Sequence, residues 1–66
     1  MKQTVHYDVT MSVIETIVVG KRAFITPVDH PDEVNVINGE MATTSTIVGV
    51  NPNGSFETQD TFYIPV

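Results

Sequence analysis

The chain contains no cysteine and no tryptophan. Leucine is missing too, and alanine occurs only at Ala23 and Ala42. Without cysteine there is no disulfide framework and no thiolate zinc site. Without leucine, and nearly without alanine, the best helix formers are gone. Basic residues are scarce: Lys2, Lys21 and Arg22 stand against eight acidic side chains, for a net charge of −5. No apolar run approaches the roughly 18 residues that span a membrane as a helix. The stretch Met1-Lys2-Gln3-Thr4 has no apolar signal-peptide core, so the expected location is cytoplasmic, with no membrane partner.

What is present is β-branched. Val occurs 11 times, Ile 6 and Thr 9 in 66 residues. Branching at Cβ restricts χ1 and suits a pleated strand better than a helix. The composition therefore predicts an all-β protein with little or no helix. Its length allows one small domain, residues 1–66. Chains below about 70–80 residues usually add a disulfide, a metal or a partner chain. With disulfides excluded, either a compact small barrel or a homo-oligomer that completes its sheet is expected.

The clearest pattern lies at the start. Val5, Tyr7, Val9, Met11 and Val13 alternate with His6, Asp8, Thr10 and Ser12. Such alternation puts one strand face on the core and the other in water. The phase blurs at Val13-Ile14, where a bulge or sharp bend is expected. Strand then continues to Val19, and Gly20-Lys21 reads as a two-residue type II′ hairpin before a return strand from Arg22 to Thr26. Pro27 to Glu33 is a loop, because proline lacks the N–H that a ladder requires. A short strand, Val34 to Ile37, is expected to turn at Asn38-Gly39, a type I′ signal, into a strand from Glu40 to Val50. Asn51-Pro52-Asn53-Gly54 is another turn. Ser55 to Gln59 and Thr61 to Ile64 finish the fold, and Pro65 is expected to block further pairing. About five or six short strands result, as a small antiparallel sheet or an SH3-like, partly open barrel.

Charge is segregated. Residues 1–22 sum to +1 and residues 23–66, which hold no Lys or Arg, to −6. No basic footprint exists, so direct nucleic-acid binding is not expected. A mimic of duplex DNA is also poorly served. A domain about 28 Å across would need to match about 16 phosphate charges at one per ~1.7 Å. Eight carboxylates spread over several faces fall short.

The densest group of polar side chains is Asp29-His30-Pro31-Asp32-Glu33. Its histidine and carboxylates are chemically able to hold zinc or manganese. Near-consecutive loop residues stiffened by proline seldom converge on one ion, so no metal or other cofactor is expected. Asp29, His30, Asp32 and Glu33 fit a partner-contact loop better. His6 falls on the polar face with Asp8, where the two can hydrogen bond. Thr43-Thr44-Ser45-Thr46 supplies hydroxyls without an activating base in recognisable context, which reads as cross-strand bonding. Phe62 and Tyr63 are adjacent, so one enters the core and the other reaches a surface or interface. The other three aromatics are expected in the core. Lys21 and Arg22, at a hairpin tip, form the only paired anion-binding candidate.

Thr44-Ser45-x-Ile47, then Asn53-Gly54-Ser55-Phe56-Glu57-Thr58, then Thr61-Phe62-Tyr63 form a strand-turn-strand signature. It resembles the tail of many small bacteriophage-encoded β proteins, in which Val stands where this chain has Ile47. The likeness covers about 20 residues, counted from the signature's own span, and carries no catalytic group. It implies a small β protein of a phage or related element, of a kind that binds and disables a host component, including defence machinery. The expected function is a non-enzymatic protein-binding module, an inhibitor of a host defence or housekeeping protein. The alternatives are a self-assembling structural module and an oligomeric sponge for an anionic nucleotide held by Lys21 and Arg22.

Overall fold

The computed structural model describes residues 2–66. Five strands follow one another as β1 (Gln3–Val13), β2 (Arg22–Pro27), β3 (Ala42–Val50), β4 (Phe56–Thr58) and β5 (Thr61–Pro65). Each strand pairs with the next, and β5 returns to β1, so the sheet closes into a barrel. The four sequential pairings are antiparallel, while the closing β1–β5 seam is parallel. An odd number of alternating strands makes this unavoidable, since the first and last run the same way. The all-β class and the small-barrel architecture expected from composition are thus what the chain forms, with the barrel closed.

The core is built from the alternation. Val5 and Tyr7 of β1, Ala23 and Ile25 of β2, Ile47 of β3, Phe56 of β4 and Tyr63 of β5 are buried together, with Val9 and Ile17 packed against them. Phe56 is central. It meets Tyr7 edge-on, with ring centroids 5.5 Å apart, and stacks on Tyr63 at 4.7 Å. Both are favourable aromatic geometries. Only three of the five aromatics are therefore interior. Phe24 faces outward and is 43% exposed, because it alternates with the buried Ala23 and Ile25 on either side of it.

Register shifts between β2 and both its neighbours leave backbone N–H groups of β2 without ladder partners, and hydroxyls take them. Thr44 Oγ1 accepts the Ala23 N–H at 3.0 Å. Thr16 Oγ1 accepts the Phe24 N–H at 2.9 Å, and Ser12 Oγ accepts the Thr26 N–H at 2.9 Å. The abundance of Thr and Ser thus keeps buried and half-buried amides satisfied where the ladder is broken.

Three local expectations are corrected. Strand β1 stops at Val13, and Ile14–Thr16 forms a 3-10 turn rather than continuing as strand. The two-residue hairpin at Gly20-Lys21 gives way to this longer connection, whose end pairs with β3: Gly20 N–H donates to Ile47 O, and Ile47 N–H to Lys21 O. Second, Val34 to Ile37 is no strand. Residues 28–41 form one loop of turns between β2 and β3. Its polar side chains capture backbone groups within the loop, which competes with strand pairing. Asn38, expected in a type I′ turn, grips the backbone of His30 through both ends of its amide. Third, Pro65 does not end the pairing. It sits opposite Tyr7, and the next amide, Val66 N–H, donates to Tyr7 O at 2.9 Å.

Among the described residues no helix is long and apolar enough to cross a membrane.

Candidate functional site

The loop 28–41 is tied down along one side of the barrel. Val28 N–H donates to His6 O at 2.9 Å, and Gly39 N–H donates to Pro27 O at 2.8 Å. Between them Asp29 makes a double contact with β1. One carboxylate oxygen accepts the His6 backbone N–H at 2.6 Å, and the other meets His6 Nδ1 at 2.7 Å. These hydrogen bonds hold the Asp29 carboxyl below its ordinary range. His6 therefore pairs with Asp29, 23 positions away, and not with Asp8. Asp8 is occupied by Thr10, whose backbone N–H and hydroxyl both donate to Asp8 Oδ1.

Within the loop, Asp32 binds both the backbone and side-chain amides of Asn35, which lowers its carboxyl's pKa. His30 Nδ1 accepts the Asp32 N–H at 3.0 Å. Glu33 stands exposed beside Val34, which is 91% exposed. The loop of Asp29, His30, Asp32 and Glu33 is a folded element whose Asp29 and Asp32 carboxylates are held in the ionised form.

Phe62 and Tyr63 divide as alternation requires. Phe62 is 42% exposed and Tyr63 is 6% exposed. Phe62 is the surface member, and Tyr63 belongs to the core and cannot dock a protein partner. On the outer face Phe62 lies opposite Thr4 of β1 and Glu57 of β4, and Ile64 lies opposite His6. Lys2 forms an ion pair with Glu57 and places its ammonium 4.9 Å from the Phe62 ring centre. Phe62, Ile64 and Val66, two residues apart in sequence, form an exposed apolar row. Through His6, this row and the Asp29 loop become one continuous surface. Sequence spacing alone could not reveal that junction, because it depends on the parallel closure of the barrel.

Lys21 and Arg22 lie elsewhere, around a shallow depression of about 340 Å³ that also includes Glu15, Val18 and Phe24. The Glu15 carboxylate opposes anion capture there. Among the described residues no three His, Asp or Glu side chains are grouped to hold one metal ion.

A second concavity, of about 280 Å³, lies between the loop and the barrel end formed by the start of β3, the end of β4 and the start of β5. His30 and Asp32 approach it from the loop, and Ser45, Thr58, Asp60 and Tyr63 from the barrel.

The molecule is thus a closed five-stranded barrel with an acidic, structured loop continuous with an apolar strand face. Compared with known proteins, the chain matches no family model, no curated protein and no solved structure.

Proposed function

We propose that this chain is a non-enzymatic protein-binding module, a phage-type inhibitor that acts on a host protein in the cytosol by direct binding. One observation carries the reading: His6 joins the carboxylate loop to the Phe62–Ile64–Val66 row, pairing with Ile64 across the seam while it binds Asp29. An apolar strip beside ionised carboxylates has the make-up of an interface, with an aromatic anchor and a charged rim. The loop side of this surface carries no Lys or Arg, and Lys2 beside Phe62 is already paired with Glu57, so the acidic rim favours a partner with a basic rim around an apolar centre. The resemblance of the C-terminal signature to small phage proteins supports a host protein as the target.

Self-assembly has less support, since the sheet closes on itself and needs no second copy to complete it. The nucleotide sponge has less support as well, because Glu15 shares the depression with Lys21 and Arg22.

The test is affinity capture of the tagged chain from bacterial lysate, beside a Phe62→Ala variant and an Asp32→Asn/Glu33→Gln variant. A host protein recovered near one-to-one by the native chain, lost with Phe62→Ala and released by salt, is the expected result. Capture indifferent to both variants, or recovery of the chain alone, would sink the proposal.

A further inference from the structure

The concavity beneath the loop carries its own chemistry, although His30 and Asp32 belong both to it and to the loop of the protein-binding face. Thr58 is 2% exposed and lines it. Every fully enclosed side-chain polar atom among the described residues has a hydrogen-bond partner. The Thr58 hydroxyl makes no hydrogen bond among the described residues, so it is not fully enclosed and opens onto the concavity it lines. Buried hydroxyls are ordinarily paired, and one left open toward a pocket is an acceptor and donor awaiting a ligand or water.

The surrounding groups fit that hydroxyl. The Tyr63 hydroxyl lies beside Thr61 on the same wall. Thr61 Oγ1 is itself held in place by Gln3 Nε2 at 3.1 Å. His30 is fixed from both sides, with its backbone gripped by Asn38 and its Nδ1 accepting the Asp32 N–H. With Nδ1 an acceptor, the neutral ring carries its proton on Nε2 and offers a donor. The Asp60 carboxylate makes no hydrogen bond or ion pair among the described residues and stands as a free acceptor at the rim. No Lys or Arg lines the space, so a phosphate or carboxylate ligand would meet only negative charge.

Hydroxyl donors, a fixed imidazole N–H and a free carboxylate over an apolar floor suit a ligand rich in adjacent hydroxyls. A carboxylate accepts two such hydroxyls at once. The volume of about 280 Å³ is just below the range of roughly 300–1,000 Å³ that holds drug-sized ligands, which fits a single ring. We infer that this pocket binds one uncharged sugar ring through its vicinal hydroxyls, with Thr58, Tyr63, His30 and Asp60 as the contacting side chains.

The experiment is amide-resolved NMR titration of the full chain with D-ribose, adenosine, 2′-deoxyadenosine and putrescine, each to tens of millimolar. Ribose or adenosine should shift the amides of Ser45, Thr58, Asp60 and Thr61 saturably. Equal response to both indicates the ring alone as ligand, and response to adenosine only indicates a nucleoside. Loss of one hydroxyl in 2′-deoxyadenosine, or Thr58→Val, should weaken binding by about tenfold or more. Should Thr58→Val fail to fold, Asp60→Asn on the exposed turn takes its place with the same expected loss. The inference is overturned if neither sugar compound shifts these amides, if the substitutions leave the shifts unchanged, or if putrescine binds there more tightly.

Discussion

The phenol of Tyr7 donates to the main-chain carbonyl of Gly54 at 2.5 Å, linking the first strand to the turn between β3 and β4 across 47 positions. The turn needs glycine at that point. Its φ of 91° is one that L side chains rarely adopt, and an added Cβ would lie 3.4 Å from the Pro65 ring and 3.5 Å from the phenol oxygen.

Tyr7→Phe removes that hydrogen bond and nothing else of comparable size. The expected loss is about 1 kcal/mol, the usual net worth of such a bond. Gly54→Ala should cost more, about 1–2 kcal/mol, because backbone strain adds to the crowding. Urea unfolding followed by tyrosine fluorescence checks both, and equal stability of Tyr7→Phe and the native chain would contradict the role assigned to the bond.

Phe56 touches both core tyrosines, so its truncation removes two aromatic contacts and opens a cavity. Phe56→Ala should cost about 3–5 kcal/mol. For so small a domain that approaches the whole of its stability. Loss of dispersed amide resonances at 25 °C is the expected readout.

Acid should loosen the loop before it unfolds the barrel. Asp29 is held ionised by its bonds to His6, so its folded pKa lies below its unfolded one. Such a group adds stability that is present above the unfolded pKa and lost as pH falls through the folded pKa. Asp8 and Asp32 are depressed too, by Thr10 and Asn35, and contribute in the same direction. Asp29→Asn should lower the thermal midpoint at neutral pH and flatten the acid limb of its plot against pH, because the variant lacks at every pH the stabilisation that the native chain loses in acid. A variant as acid-sensitive as the native chain would show that Asp29 is not responsible.

Alkali acts through the tyrosines. Burial raises the pKa of Tyr7 and of Tyr63 above the ordinary phenol value. Their contribution is complete below the unfolded pKa near 10 and is lost as pH rises from there through the folded values. Absorbance at the phenolate band should rise together with unfolding, and Tyr7→Phe should reduce the steepness of that coupling.

Lys2 and Glu57 form a half-exposed pair over Phe62. Lys2→Ala should cost less than about 1 kcal/mol, as partly solvated pairs do, and should leave the phenylalanine more open to a partner. Denaturation of the variant in low and high salt measures the first part.

Much of this was legible in the sequence, for physical reasons. Alternation over Val5 and Tyr7 identified the inward face of β1, and adjacency of Phe62 and Tyr63 forced them to opposite faces. The same alternation overreached at Met11, which is exposed, because the register slips between Asp8 and Val13. Asn38-Gly39 misled, since local capture of the His30 backbone outcompeted a hairpin. The partnership of His6 with Asp29 had no sequence signal, as it depends on which loop the barrel brings to β1. The concavity beside Thr58 was equally silent: a threonine in a strand announces β propensity, not a hydroxyl that opens onto a pocket.

The parallel seam also sets when the molecule can come into being. Gln3 pairs with Thr61 and Tyr7 with Pro65, so the opening strand finds its final neighbour only among the last residues of the described chain. During synthesis the first four strands would wait with one flank of β1 and one of β5's future partner β4 unzipped. Contacts of such sequence separation form late and slowly. A nascent chain would therefore spend its vulnerable interval with two strand flanks bare, the condition in which unfinished β proteins aggregate.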